Sequence, residues 1–453
     1  MTKKCVIILF VFIMILSNYA FADEIPSLGS KAIYLVEPTT GKVIYEKNAH
    51  EKMYPASTTK ILTALVVIEN CKLDEKAIVS EKAISMVPEG YSNAGLKVGE
   101  ELDIKTLLYA LLVPSANEAA NVLAEHVSGS IEEFAELCNK RAKELGCENL
   151  NFVNANGIHD ENHYCSAYDL YLIAKECQKY DIFNEIVKTK SFTLPATNIY
   201  IKEDRTYKNT NELLLSGKYF YDYCTGIKTG FTTPAGECLV GSAFNNDIEL
   251  ISVVLGGKAR NSKGLNERFA DTKELYEYTY SNYSIKEIAN SGDIIATLKV
   301  GKGTKETAQL DAIVDDTIKT IVPNELDKDN VLKTVIINKE IVAPVTRGQI
   351  LGTITYDADG LVYTANLVAS HDVEKKPYAL YNIIVVLIYV LTIVLFLKMI
   401  KKSKKKNRVR LLMVAILIAE TACGIFICKA EEKNHITTTN ILVDHQISED
   451  LNV

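Results

Sequence analysis

Three short stretches of the chain carry residue types that could perform acyl transfer: Ser57-Thr58-Thr59-Lys60, Ser115-Ala116-Asn117 and Lys228-Thr229-Gly230. A serine hydroxyl is a poor nucleophile until a neighbour takes its proton, so a lysine three residues after a serine has chemical meaning. On a helix that step puts both side chains on one face, within reach of each other. A serine at the helix N-terminus would also sit among unsatisfied N–H groups and the positive end of the dipole, which favour developing negative charge. Each motif alone is weak. Roughly one or two chance Ser-x-x-Lys matches are expected in a chain of this size, and Ser403 to Lys406 is one, inside a lysine cluster with no helix start. Taken by itself, the first motif reads equally well as a helix-capping Ser57 and a solvated Lys60.

The elements around these residues can be read from their patterning. Ala32 to Val36 and Val43 to Glu46 are strand-like runs flanking Pro38-Thr39-Thr40-Gly41, a hairpin signal. From Ser57 onward Ile61, Leu62, Leu65, Val66 and Ile68 recur at helical spacing, and Pro55 stands just ahead of the start. Helical stretches at 104–113 and 118–127 are separated by Pro114-Ser115-Ala116-Asn117, which fixes a break at the second motif. Paired strands are expected over 226–244 and 248–255, and a closing helix over 268–280. This mixed order predicts an α+β fold. Beyond about Tyr283 come short strand-like runs at 294–300, 334–337, 349–356 and 361–368 with Gly and Asp turns, a small all-β module without a nucleophile and base pair.

In order and spacing, Ser57-x-x-Lys60, Ser115-x-Asn117 and Lys228-Thr229-Gly230 resemble the penicillin-recognising serine acyltransferases. The longer contexts Tyr54-Pro-Ala-Ser-Thr-Thr-Lys60 and Lys228-Thr-Gly-Phe-Thr-Thr-Pro-Ala-Gly236 resemble the low-molecular-mass, serine-type D-alanyl-D-alanine carboxypeptidases in particular. The resemblance runs from about Ala32 to Val368. It implies a transpeptidase/β-lactamase-like domain, helices packed on an antiparallel sheet, followed by a β-sandwich-like domain. The implied substrate is a peptidoglycan stem peptide ending in D-Ala-D-Ala, with β-lactams as covalent inhibitors. By the same resemblance Ser57 is acylated, Ser115 relays a proton to the leaving amine and Asn117 holds the substrate amide. Lys228 and Thr229 would bind the terminal carboxylate. The oxyanion would lie between the backbone N–H groups of Ser57 and of Phe231, the residue after Gly230. Arg268, in Glu267-Arg-Phe-Ala-Asp271, matches a family arginine near the carboxylate pocket; its other reading is pairing with acids on its own helix.

No histidine is placed by these motifs to activate Ser57, which leaves Lys60 as the base, and Lys60 must then be neutral. Moving a lysine from about 10.4 to near 7 costs about 4 to 5 kcal/mol, which burial and the charge of Lys228 could supply. His159 and His163 stand four apart, but Asp160 takes the place where a metalloprotease has glutamate and Gly157 precedes, so a structural loop is expected rather than zinc. No cofactor or metal is expected. A class A β-lactamase would need a glutamate three residues before Leu150-Asn151; Cys147 occupies that place and Glu148 is one residue late. A long-lived penicilloyl adduct is therefore expected over fast β-lactam hydrolysis. The competing readings are a membrane β-lactam sensor or an inert wall-binding relative, and next a β-lactamase.

The ends of the chain speak to location. Lys3 and Lys4, the apolar run from Val6 to Leu16 and Ala20-Phe21-Ala22 have the form of a secretory signal over 1–22. Residues 23–283 are expected as the carboxypeptidase domain, 284–372 as the β domain and 373–428 as a membrane anchor in contact with lipid. The anchor divides into an uncharged span at 378–397, a basic cytoplasmic loop at 398–410 and a second span at 411–427, with a polar tail at 429–453. An extracytoplasmic catalytic domain follows. The 453 residues carry 50 basic and 57 acidic side chains, a net charge of -7 that gives no basic excess for nucleic acid. Of ten cysteines, setting aside Cys5, Cys423 and Cys428 leaves seven, an odd and scattered set without a Cys-x-x-Cys, expected to be mostly buried thiols.

Overall fold

The computed structural model describes residues 27–402 apart from 203, 305–307, 339 and 377, together with a few positions between 409 and 421. The signal-like segment 1–22, most of the second apolar run and the 429–453 tail lie outside the described residues. The chain divides into two compact units, one reaching Lys286 and reclaiming Thr320–Leu326, the other holding Glu287–Lys319 and everything from Asp327 onward.

The first unit is organised by a five-stranded antiparallel sheet. Its order is Lys42–Lys47, Ala32–Glu37, Ile248–Gly257, Gly236–Asn245 and Cys224–Thr232. Both faces are covered, so alternate residues of one strand enter different cores. Ile33 and Leu35 face a cluster with Leu239, Val254 and, from the helix Glu267–Asn282, Phe269, Leu275 and Tyr276. Tyr34 and Val36 face the larger cluster, with Val240, Val253 and the remaining helices. The strand Ala32–Glu37 is thus buried along its whole length, and it pairs with Lys42–Lys47 in the hairpin expected around Pro38-Thr39-Thr40-Gly41.

The helix Lys60–Asn70 is the axis of the larger core: every side chain from Lys60 to Val67 is buried. Helices Ile104–Leu112, Asn117–Ser128, Ile131–Glu144 and Ala167–Cys177 pack around it or its neighbours. The last two have no counterpart in the sequence reading, yet both begin on legible caps. Ser130 Oγ accepts from Glu133 N–H at 3.1 Å, and Ser166 forms a reciprocal capping box with Asp169.

In the second unit the strands run in the order Ile294–Lys299, Gln309–Val314, Leu361–Ala369, Ile350–Ala358, Leu332–Ile337, all antiparallel. The strand Gln309–Val314, followed directly by Asp315-Asp316, has no counterpart in the sequence reading. The strand Ile318–Pro323 was missed as well; its Ile321 is buried in the first unit's core. The chain then forms one 25-residue helix, Tyr378–Lys402, in which Ile383, Val386, Leu387, Val390 and Leu391 are exposed. Taken over the described residues alone, no helix is long and apolar enough to cross a membrane. The anchor therefore rests on the unbroken sequence pattern and not on the structure.

Candidate active site

The first motif does not open directly as an α-helix. Ala56–Thr59 form a 3₁₀ turn, with Thr58 Oγ1 donating to the Pro55 carbonyl at 2.7 Å and Thr59 Oγ1 to the Ala56 carbonyl at 2.8 Å. The α-helix begins at Lys60. Ala56 has φ +49°, a left-handed conformation that disfavours a side chain and turns the chain so that Ser57 stays partly exposed above buried neighbours.

Lys60 is wholly buried, and its Nζ has three oxygen partners: Ser57 Oγ at 2.9 Å, Asn117 Oδ1 at 2.8 Å and the Asn156 carbonyl at 2.6 Å. Asn117 Oδ1 and the Asn156 carbonyl can only accept, whereas the hydroxyl can donate. A neutral amine satisfies all three, donating twice and receiving the Ser57 proton on its lone pair. Burial first, and the charge of Lys228 second, hold Lys60 well below the ordinary lysine range, with Glu118 opposing. The two causes expected from sequence are those found.

The strand Cys224–Thr232 brings the third motif against the same turn. A Cβ on Gly230 would stand 2.9 Å from the Pro55 carbonyl oxygen and 3.0 Å from the Ser57 nitrogen, so glycine is what permits the strand to come this close. The Ser57 N–H consequently lies one residue from exposed Phe231. Lys228 is buried, donates to the Thr229 carbonyl at 3.0 Å, and is pulled down to about 7 by burial and then by Arg268. Thr229 Oγ1 is 2.6 Å from Thr210 Oγ1.

Arg268 sits in the first turn of the helix Glu267–Asn282 and reaches back to this strand. Its Nη1 donates to the Gly230 carbonyl at 3.0 Å and lies 2.7 Å from Glu237 Oε2. The second contact is an ion pair without hydrogen-bond alignment, because Glu237 Oε2 and Arg268 Nε are both buried without a hydrogen-bond partner. Pairing with acids on its own helix is thereby corrected: Glu267 instead accepts from the Lys258 N–H at 2.6 Å, and the arginine faces the site. The Arg268 guanidinium, its unused Nε donor and the nearby Lys228 amine make a region suited to a carboxylate.

Ser115 has φ +66° and a buried hydroxyl without a partner, a strained position two residues before the Asn117 that meets Lys60. Asn117 donates through Nδ2 to the Ser92 carbonyl at 2.8 Å, leaving one amide hydrogen uncommitted. Several supporting groups escaped the sequence reading. Glu118 Oε1 accepts from the Ala94 N–H at 2.6 Å, pinning the loop that carries Ser92, and burial raises its carboxyl. Asn156 spans Lys60 and Asn121, donating to Asn121 Oδ1 at 3.0 Å. Its neighbour Gly157 has φ +83°, and a Cβ there would meet the Ala56 carbonyl oxygen at 1.9 Å. The Asn154-x-Asn156-Gly157 pattern was a turn signal that could have found this loop.

His163 is structural. Its Nδ1 accepts from the Val153 N–H at 3.1 Å and its Nε2 meets Thr59 Oγ1 at 2.8 Å, while burial drives it down to about 3. Since Thr59 already donates to Ala56, Nε2 must carry the hydrogen, and neither ring nitrogen is left for a metal. His159 stacks edge-on with Tyr54. Cys147 points its thiol at the Asp169 carbonyl, 3.7 Å away, and Glu148 is exposed. What this part of the chain gives Lys60 is the Asn156 carbonyl, not a carboxylate. The seven described cysteines are all unpaired.

A buried lysine bonded to a serine at a helix start, facing an antiparallel edge strand that carries Lys-Thr-Gly, defines a serine acyltransferase of the penicillin-binding class. Comparison with known proteins narrows this. Residues 19–259 match the D-alanyl-D-alanine carboxypeptidase family, and residues 283–375 match the C-terminal domain of penicillin-binding protein 5. The chain belongs to the D-alanyl-D-alanine carboxypeptidase family and is a serine-type peptidase hydrolase, with a catalytic domain and an all-β C-terminal domain. It is 35% identical to the D-alanyl-D-alanine carboxypeptidase DacF of Bacillus subtilis, over 77% of this chain and 86% of that protein. It is 30% identical to DacA of Haemophilus influenzae over 77% and 86%. Among solved structures it resembles the peptidoglycan synthesis regulatory factor PBP3 of Streptococcus pneumoniae, at TM-score 0.61 and 26% identity over 77% of this chain and all of that one.

Proposed function

We propose that Ser57 carries out D-alanyl-D-alanine carboxypeptidase chemistry on peptidoglycan stem peptides, with neutral Lys60 as its base. The observation that carries this reading is the set of three contacts around Lys60 Nζ, which suits an amine able to take the Ser57 proton. Ser57 Oγ attacks the carbonyl carbon of the penultimate D-alanine as its proton passes to Lys60. The oxyanion forms between the Ser57 and Phe231 N–H groups. As the C–N bond breaks, the leaving amine takes a proton from Lys60 by way of Ser115, and D-alanine departs. Water then cleaves the Ser57 ester. Asn117 holds the substrate amide, and Lys228, Thr229 and Arg268 hold the terminal carboxylate. That carboxylate restores the charge on Lys228, since an anion in contact raises a lysine depressed by burial and a like charge.

The place of Glu148 in solvent supports slow release of a penicilloyl group, since no carboxylate of this segment stands by to activate water. The sequence pattern supports an exported domain, cleaved after 22 and tethered through 378–397, with the basic loop 398–410 in the cytoplasm and 411–427 returning. Release of D-alanine from a synthetic pentapeptide by the wild type but not by Ser57→Ala tests the chemistry. Protease shaving of intact cells tests the tether: loss of the catalytic domain supports it, and full protection contradicts it.

A further inference from the structure

A second cluster of chemistry-bearing side chains lies at the opposite ends of the two helices that begin the site. Cys71 follows directly on the helix Lys60–Asn70, its N–H bonded to the Val67 carbonyl at 3.0 Å. His126 lies in the last turn of the helix Asn117–Ser128. Glu75 joins them from the turn after Cys71. One ligand atom from each of Cys71, Glu75 and His126 lies within 4.8 Å of the other two. An eleven-residue helix spans about 16 Å, so this cluster is far from Lys60.

The cluster is prearranged by its backbone. The Lys72 N–H donates to Glu75 Oε1 at 3.1 Å and the Glu75 N–H to the Lys72 carbonyl at 3.2 Å, closing the turn. The Glu75 carbonyl accepts from Ile104 N–H and the Leu73 carbonyl from Lys105 N–H, both at 3.0 Å, tying the turn to the next helix start. One carboxylate oxygen is therefore committed to the turn, and the other, Oε2, lies 3.1 Å from His126 Nε2. With metal bonds of about 2.3 Å to sulfur and about 2.0–2.2 Å to nitrogen and oxygen, tetrahedral ligand atoms stand about 3.3–3.6 Å apart. The Glu75–His126 pair at 3.1 Å is near that spacing, and all three ligand atoms lie within 4.8 Å of one another.

We propose that Cys71, Glu75 and His126 form a site for one divalent transition-metal ion of zinc's type, with the fourth position open to water. One thiolate, one imidazole and one carboxylate make a mixed donor set that suits zinc and excludes magnesium and calcium, which prefer oxygen alone. On binding, the Cys71 proton passes to solvent and the sulfur takes up the metal bond. The ion joins the far ends of the helices that carry Lys60 and Asn117, so its effect is on their stability and not on bond making. The three ligands are spread over 56 positions without a paired-cysteine spacing, which is why no zinc motif is visible in the sequence.

Zinc titration of the untagged full chain in detergent, competed against a chromophoric chelator, tests the site. One equivalent binds in the wild type and in Ser57→Ala, with at least a 100-fold loss of affinity in Cys71→Ser and His126→Ala. Zinc raises the unfolding midpoint of the wild type by roughly 5–10 °C at a hundredfold excess over its dissociation constant, and leaves Cys71→Ser unmoved. Cobalt in place of zinc gives a thiolate charge-transfer band that Cys71→Ser lacks while still unfolding cooperatively. Failure of the wild type to bind zinc below millimolar concentration, or a cobalt band that survives Cys71→Ser, overturns the proposal.

Discussion

The two units of this chain bury different things. Among the described residues, every buried polar or charged side chain lies in the first unit, including Lys60, Lys228, Glu118 and Glu237. The second unit buries only apolar groups such as Leu310, Val314, Ile354 and Leu367. Every buried side-chain atom without a hydrogen-bond partner is also in the first unit, at Ser115, Glu118, Arg205, Glu237, Arg268 and Thr272. Buried charge and unpaired polar atoms lower stability, and Lys60, Lys228, Ser115, Glu118, Glu237 and Arg268, all part of the site or its support, are among those the first unit carries. Among the described residues, the side chains the β unit buries are hydrophobic ones.

Lys60→Met should break the contrast most sharply. Acylation falls on the order of 10²–10⁴-fold because the base is gone, while thermal stability holds or rises because a buried amine is replaced by an apolar group of similar length. A variant that loses stability and keeps its acylation rate would mean that Lys60 is only a structural residue. Next in size is Arg268→Met, where losing charged hydrogen bonds to the substrate carboxylate raises KM by roughly 10- to 100-fold. The same change removes the positive neighbour that depresses Lys228. Lys228 then keeps its proton to higher pH, and the alkaline limb of kcat/KM shifts upward; an unmoved limb would separate Lys228 from that limb.

His163 predicts a smaller effect, confined to stability. Its folded value near 3 lies below the unfolded 6.5, so the unfolded chain binds more protons between them and stability falls as pH drops through that window. The loss is up to about 1.4 kcal/mol per pH unit, and His163→Leu should flatten that slope in urea titrations at several pH values. At the small end for activity, Leu367→Ala should cost about 2–5 kcal/mol of stability in the β unit and leave kcat/KM of the folded protein unchanged. A large fall in kcat/KM would give the β unit a part in catalysis.

How much of this could be read from the chain follows from how local each feature is. Ser57 and Lys60 are three residues apart, so helix geometry alone predicts their contact, and the break at Pro114 places Ser115 between two helices and Asn117 at the start of the second. Thr210 and Glu237 reach the site from distant segments and no local pattern marks them, whereas Asn156 lies in a loop that Asn154-x-Asn156-Gly157 signals as a turn without showing where it docks. Arg268 could be seen as a candidate, but its partner could not, because Glu237 is 31 positions away and meets it only through the sheet. The left-handed backbone at Ala56 and Ser115 was hidden for another reason: neither residue type prefers it, and the surrounding packing imposes it. The capped helices Ile131–Glu144 and Ala167–Cys177 were legible and overlooked.

The most direct measurement is mass spectrometry of the protein after brief exposure to benzylpenicillin. A Ser57 activated by neutral Lys60 predicts a mass gain of one intact penicillin on the proteolytic peptide holding Ser57, absent from Ser57→Ala and slow to appear in Lys60→Met. An unmodified Ser57 peptide, or the same adduct on another residue, would contradict the account.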